Sequence, residues 1–102
     1  VCSAQLQARQ NGGPAMGLKD LQAFNHAVHE VVPDFHYEDC VCTATATGFV
    51  EEHRVCGTLP DGKPLNLFAC VVGDVGDGQI VALREYVDSR AAAGLLKALS
   101  AG

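Results

Sequence analysis

GTLPDGKPLNLFACVV, Gly57 to Val72, decides how the rest of the chain is read. Pro60, Asp61 and Gly62 stand together between two strand-like runs, which predicts a tight turn and a hairpin of antiparallel strands. Beyond the turn, Leu67 to Val72 is apolar without a break. The strand over 64–72 is therefore expected at the centre of its sheet.

Working outward, Gly48 to Leu59 reads as the strand before the turn. Phe35 to Thr47, rich in Thr, Val, Cys and aromatics, reads as the strand before that. Asp74 to Gly78 (DVGDG) turns the chain again, and Ile80 to Asp88 follows as another strand. From Leu18 to Val32 the apolar residues Leu21, Phe24, Val28 and Val31 recur at intervals of three and four, the stripe of an amphipathic helix stopped by Pro33 and Asp34. NGGPAMG, Asn11 to Gly17, is loop by composition, and residues 3–9 suit an edge-like first strand. Asp88 or Ser89 can cap a short last helix over 90–99. Strand, helix, then four antiparallel strands, with one helix stripe covering a curved sheet, is an α+β arrangement.

Composition bounds what such a fold can do. The 102 residues suit one domain over 1–102, and 48% hydrophobic residues supply a core. No apolar run approaches the ~20 residues of a membrane helix, and Val1 to Gln10 lacks the apolar region of a secretion signal. Twelve acidic against seven basic residues give a formal charge of −5, with no basic run. Nucleic acid and anionic membrane surfaces are therefore not expected partners. Five cysteines without a secretory context read as reduced thiols, so the expected compartment is the cytoplasm. Cys40 and Cys42 on one strand would sit ~6.6 Å apart, near the upper limit for a disulfide. His26, His29, His36 and His53 form no compact ligand pair with each other or with the cysteines, so neither a metal nor another cofactor is expected.

Together the helix ending in VVPD, the GTLPDGKPL hairpin, DGQIVALREYVDS and the NGGPAMG loop before a helix resemble the SnoaL-like group of the nuclear-transport-factor-two-like superfamily. The resemblance runs from about Gln10 to Leu99. It implies a cone in which a bent antiparallel sheet wraps around helix and encloses one apolar pocket, often in a homodimer. Members of the group carry helices before their first strand, whereas this chain begins almost at the strand, so those N-terminal helices are expected to be absent.

Strand alternation then sorts the charged residues. In the last strand Val81, Leu83, Glu85 and Val87 share a face, which puts a carboxylate among apolar side chains. In the strand before the hairpin, Val50, Glu52, Arg54 and Cys56 share one face, and Phe49, Glu51, His53 and Val55 the other. The resemblance implies that the Glu52 and Arg54 face lines the pocket, opposite Leu67, Ala69 and Val71. It also implies that Asn11, the helix residues Leu21, Phe24 and Val28, and the strand residues Val50, Cys56, Leu83 and Val87 complete the lining. Glu85, Arg54 and Glu52 are then the candidate catalytic set. An arginine between two acids keeps one ionised while burial raises the other, as acid–base chemistry requires.

The set resembles that of limonene epoxide hydrolases, with three departures: Glu52 precedes Arg54 rather than following it, Glu85 replaces an Asp, and Arg9 stands where a tyrosine is expected. It implies an acid–base enzyme acting by hydrolysis or isomerisation on a small hydrophobic molecule. The alternative is a non-catalytic binding module or a dimeric interaction domain, in which Glu52 and Arg54 form a structural ion pair. Phe49, Val55, Phe68 and Tyr86 are expected on the outer sheet face as the homodimer surface.

Overall fold

In the computed structural model, which describes residues 1–101, the elements run β1 (Cys2–Gln10), α1 (Leu18–Val31), β2 (His36–Ala44), β3 (Gly48–Thr58), β4 (Pro64–Gly76), β5 (Gln79–Val87) and α2 (Ala93–Ala101). The expected hairpin closes between β3 and β4. Gly62 takes φ +86°, Leu59 N–H donates to the Lys63 carbonyl at 2.9 Å, and the Asp61 carboxylate accepts from Lys63 N–H at 3.0 Å. The next turn is tighter than DVGDG suggests. β4 continues to Gly76, and Asp77 and Gly78, both at positive φ, make a two-residue connection.

The five strands lie in the order β1-β5-β4-β3-β2, so the apolar β4 is central as its composition predicts. β2 through β5 form an antiparallel meander, while β1 pairs parallel to β5 at one edge. Register shifts between Cys2 and Gln7, Glu38 and Val41, and Asp74 and Val75 interrupt the ladders. Such bulges bend a sheet, and the bend cups this one around the helices.

The core fills one end of that cup. Val28 of α1 and Val32 pack with Val55, Leu65, Leu67 and Ala69 from the sheet and with Ala92 and Leu95 from the C-terminal segment. Val32 is fully buried, and its methyl lies where a side chain on Gly57 would go, so helix end and β3 meet without a gap. α1 ends close to the expected place, capped by Val32 just before Pro33. The last helix begins later than expected: residues 90–92 form turns in which Asp88 accepts from Arg90 N–H at 2.9 Å and from Ala92 N–H at 3.0 Å. Among the described residues, no helix is long and apolar enough to cross a membrane. All five cysteines are free.

Candidate functional site

A cavity of about 600 Å³, partly open to solvent, lies between the concave side of the sheet and α1. α1 contributes Leu21, Phe24 and Val28, and exposed Asn11, in the loop between β1 and α1, joins the lining. β4 contributes Leu67 and Val71, and β5 contributes Leu83, Glu85 and Val87. Ala69 is buried in the core rather than on the cavity wall.

β3 turns the other way from expectation. Phe49, Glu51, His53 and Val55 line the cavity, which leaves Val50, Glu52, Arg54 and Cys56 on the opposite face. The physical reason is the hairpin register. Thr58 pairs with Pro64 beside the turn, so Val55 meets Leu67, Glu51 meets Val71, and Glu52 meets Cys70. Cross-strand partners share a face, and the face of Leu67 and Val71 is the inner one. Arg54 pairs instead with the edge strand β2, its Nη2 3.0 Å from both Glu38 Oε1 and Asp39 Oδ2, and Glu52 is exposed. Glu85, Arg54 and Glu52 are therefore not brought together. Phe49 and Val55 likewise leave the outer face, where Phe68 and Tyr86 remain exposed.

What Glu85 meets is a different group. The register puts Glu51, Val71, Glu85 and Gln10 in one row across four strands. Gln10 Nε2 donates to Glu85 Oε1 at 2.9 Å. Burial pushes the Glu85 carboxyl above its ordinary value, opposed first by the Gln10 amide and then by the charge of His53. Two residues along β3, His53 is 2% exposed, and its Nδ1 is 2.7 Å from Glu51 Oε1. A carboxylate can only accept there, so Nδ1 carries a proton, and whenever the ring is neutral Nε2 is left with its lone pair. Among the described residues, His53 Nε2 is the buried side-chain polar atom with no hydrogen-bond partner.

Tyr37 completes the group. Its ring stacks on His53 with centroids 4.0 Å apart and 22° between planes, and Phe35 meets it edge-on at 5.5 Å. Burial and the charges of Glu85 and Glu51 hold the Tyr37 hydroxyl protonated beyond the ordinary range. The chemistry available is thus a carboxyl biased toward protonation and an imidazole base oriented by a second carboxylate. His53 and Glu51 carried a signal in the sequence: counting pairs outward from the Pro60–Lys63 turn places both opposite inward β4 residues. Tyr37 had none, because the bulge between Glu38 and Val41 hides the β2 register.

A scan against protein-family models finds no match, and neither does a search of curated proteins. Solved structures do match. A protein from Jannaschia sp. CCS1, assigned as a SnoaL-like polyketide cyclase, superposes with a TM-score of 0.79 at 20% identity, over 99% of this chain and 74% of that one. One from Xanthomonas campestris pv. campestris, assigned as a polyketide cyclase, gives 0.80 at 22% identity over 92% and 78%. One from Bacillus subtilis, assigned as an isomerase, gives 0.75 at 14% identity over 95% and 76%. The chain has the α+β cone fold of the SnoaL-like and nuclear-transport-factor-two-like proteins.

Proposed function

We propose that the cavity holds a small, largely apolar molecule and that Glu85 and the Glu51–His53 pair move a proton on it. The observation that carries this reading is the unpartnered, buried Nε2 of His53 on the same cavity wall as a carboxyl held above its usual range. A carboxyl biased toward protonation and an imidazole nitrogen free to accept are the two groups that proton abstraction and return need. Hydrolysis of an epoxide also needs a cation to hold the acid pair around water, and Arg54 lies on the other face of β3. Isomerisation or cyclisation through loss of a proton next to a carbonyl is the better fit. The fold's occurrence in proteins assigned as polyketide cyclases and an isomerase agrees with that class.

The test is deuterium exchange from heavy water into the carbon acid positions of a panel of cyclic and aromatic ketones, followed by proton NMR. Glu85→Gln and His53→Gln should each slow exchange by about 10²- to 10⁴-fold. Exchange no faster than buffer for every ketone, or variants as fast as the parent, would sink the enzymatic reading. A binding module without chemistry is the second reading, favoured by the Gln10 amide already occupying one Glu85 oxygen.

The outer sheet face supports a further proposal, pairing of two copies. Phe68 is 72% exposed and Tyr86 46%, on neighbouring central strands. An aromatic pair in the middle of a sheet face is the composition of an interface rather than of a wet surface. The molar mass in solution reads this directly.

A further inference from the structure

His36, at the margin of the cavity, meets Glu38 and Cys56 on the face of the β2–β3 ladder opposite Tyr37 and Val55. Residues two apart on a strand share a face, so His36 and Glu38 project together, and the register sets His36 against Cys56. The His36 Nε2, the Glu38 carboxylate and the Cys56 sulfur all lie within 4.8 Å of one another.

Both β2 side chains are held from behind. His36 Nδ1 donates to the Asp34 carbonyl oxygen at 2.8 Å, which commits the Nδ1 proton and turns Nε2 inward. Glu38 Oε1 accepts from Arg54 Nη2 at 3.0 Å, and Arg54 Nε is fixed by Asp39 Oδ2 at 3.1 Å, which leaves Glu38 Oε2 facing Nε2. Hydrogen bonds of this kind, to the far side of an imidazole and of a carboxylate, are what orient ligands around bound metals. Nε2 and Oε2 are 2.7 Å apart. An acceptor oxygen and a ring nitrogen whose partner already holds the proton attract only with a cation between them, either a second proton or a metal ion. Cys56 is buried, and its sulfur lies near the Glu38 carboxylate and 3.9 Å from the Arg54 carbonyl.

We propose that His36 Nε2, Glu38 Oε2 and Cys56 Sγ bind one divalent transition-metal ion of the zinc class, with water in the fourth position. Nitrogen, oxygen and sulfur donors suit zinc, and bonds of 2.0–2.3 Å in a tetrahedron place ligand atoms roughly 3.3–3.8 Å apart. The His36–Glu38 pair opens by less than about 1 Å to reach that spacing, and the sulfur, within 4.8 Å of both, closes by about 1 Å or less. Binding displaces the proton between Nε2 and Oε2 and the thiol proton, so one thiolate and one carboxylate neutralise the ion. Arg54 beside the site is itself neutralised by Asp39. The sequence conceals this set because its members are joined by strand pairing across 18 residues or more rather than by a compact spacing.

The experiment is titration of the reduced full chain with Co²⁺ as a spectroscopic probe, followed by displacement with Zn²⁺. One equivalent should produce a thiolate-to-cobalt charge-transfer band that Zn²⁺ removes. Cys56→Ser should abolish the band, and His36→Gln or Glu38→Gln should weaken binding at least about tenfold. The double variant Cys40→Ser, Cys42→Ser should leave it unchanged, with circular dichroism checking every fold. Should Cys56→Ser not fold, exposed His36 and Glu38 carry the same decision. No band, a band that survives Cys56→Ser, His36→Gln and Glu38→Gln, or one lost in the Cys40 and Cys42 variant overturns the proposal.

Discussion

Substituting Gly73 tests the facing of β3, on which the whole site depends. Gly73 pairs with Phe49 across the β3–β4 ladder, and a Cβ built on Gly73 would lie 2.3, 2.4 and 2.9 Å from three atoms of the Phe49 ring. The nearest is about 1 Å short of ordinary contact, so the ring must swing out over the cavity or the strands must part. Overpacking of that size costs about 1–3 kcal/mol. Phe49→Leu removes the outer ring atoms and with them most of the clash. Urea unfolding of the parent, Gly73→Ala, Phe49→Leu and the double variant, at unchanged m-value, gives the cycle. The double variant should be more stable than the sum of the single losses predicts, by about 1 kcal/mol or more. Additivity within about 0.5 kcal/mol would mean that the Phe49 ring does not lie over Gly73. The inward placement of Glu51 and His53 would then fall with it.

Two further outcomes follow from the same geometry. Burial raises the Glu85 pKa above its ordinary 4.5, so the native state holds that proton to higher pH than the unfolded chain does. The parent therefore loses stability as pH rises from about 4.5 through the folded value, and Glu85→Gln does not. Denaturation from pH 4 to 7 should show the variant gaining on the parent, and a constant gap refutes the burial argument. If the outer face joins two copies, light scattering should give twice the 10.7 kDa chain mass, and Phe68→Glu should return one chain mass with its circular dichroism intact. A parent already at one chain mass at high micromolar concentration disposes of the pair.

Most of the architecture was legible because the signals were local. The Pro60–Lys63 turn, the apolar run of β4 and the stripe of α1 each announce themselves within a few residues, and each formed as read. The facing of β3 was not, because both of its faces follow one pattern: Phe49, Glu51, His53, Val55 against Val50, Glu52, Arg54, Cys56. An apolar residue at each end and two polar ones between cannot tell inside from outside. That choice belongs to the register, which the five-residue connection over 59–63 transmits from Leu67 and Val71. Glu85 was legible for the opposite reason, since its strand has only one apolar face. The parallel seat of β1 left no local trace either, because nothing in a short mixed strand names a partner more than seventy residues away.

That last pairing also sets when the site can exist. The four-strand meander can grow hairpin by hairpin, each step closing a short loop. β1 reaches β5 only by closing nearly the whole chain on itself, which carries the largest loop entropy in the fold and puts its contacts among the slowest to form. Gln10, which holds Glu85, and Asn11, whose backbone and side chain clasp Glu85 and Val87, arrive with that strand. The carboxyl's surroundings are thus completed by the longest-range closure in the sheet, and a chain with only its meander formed would have the acid without the partner that orients it.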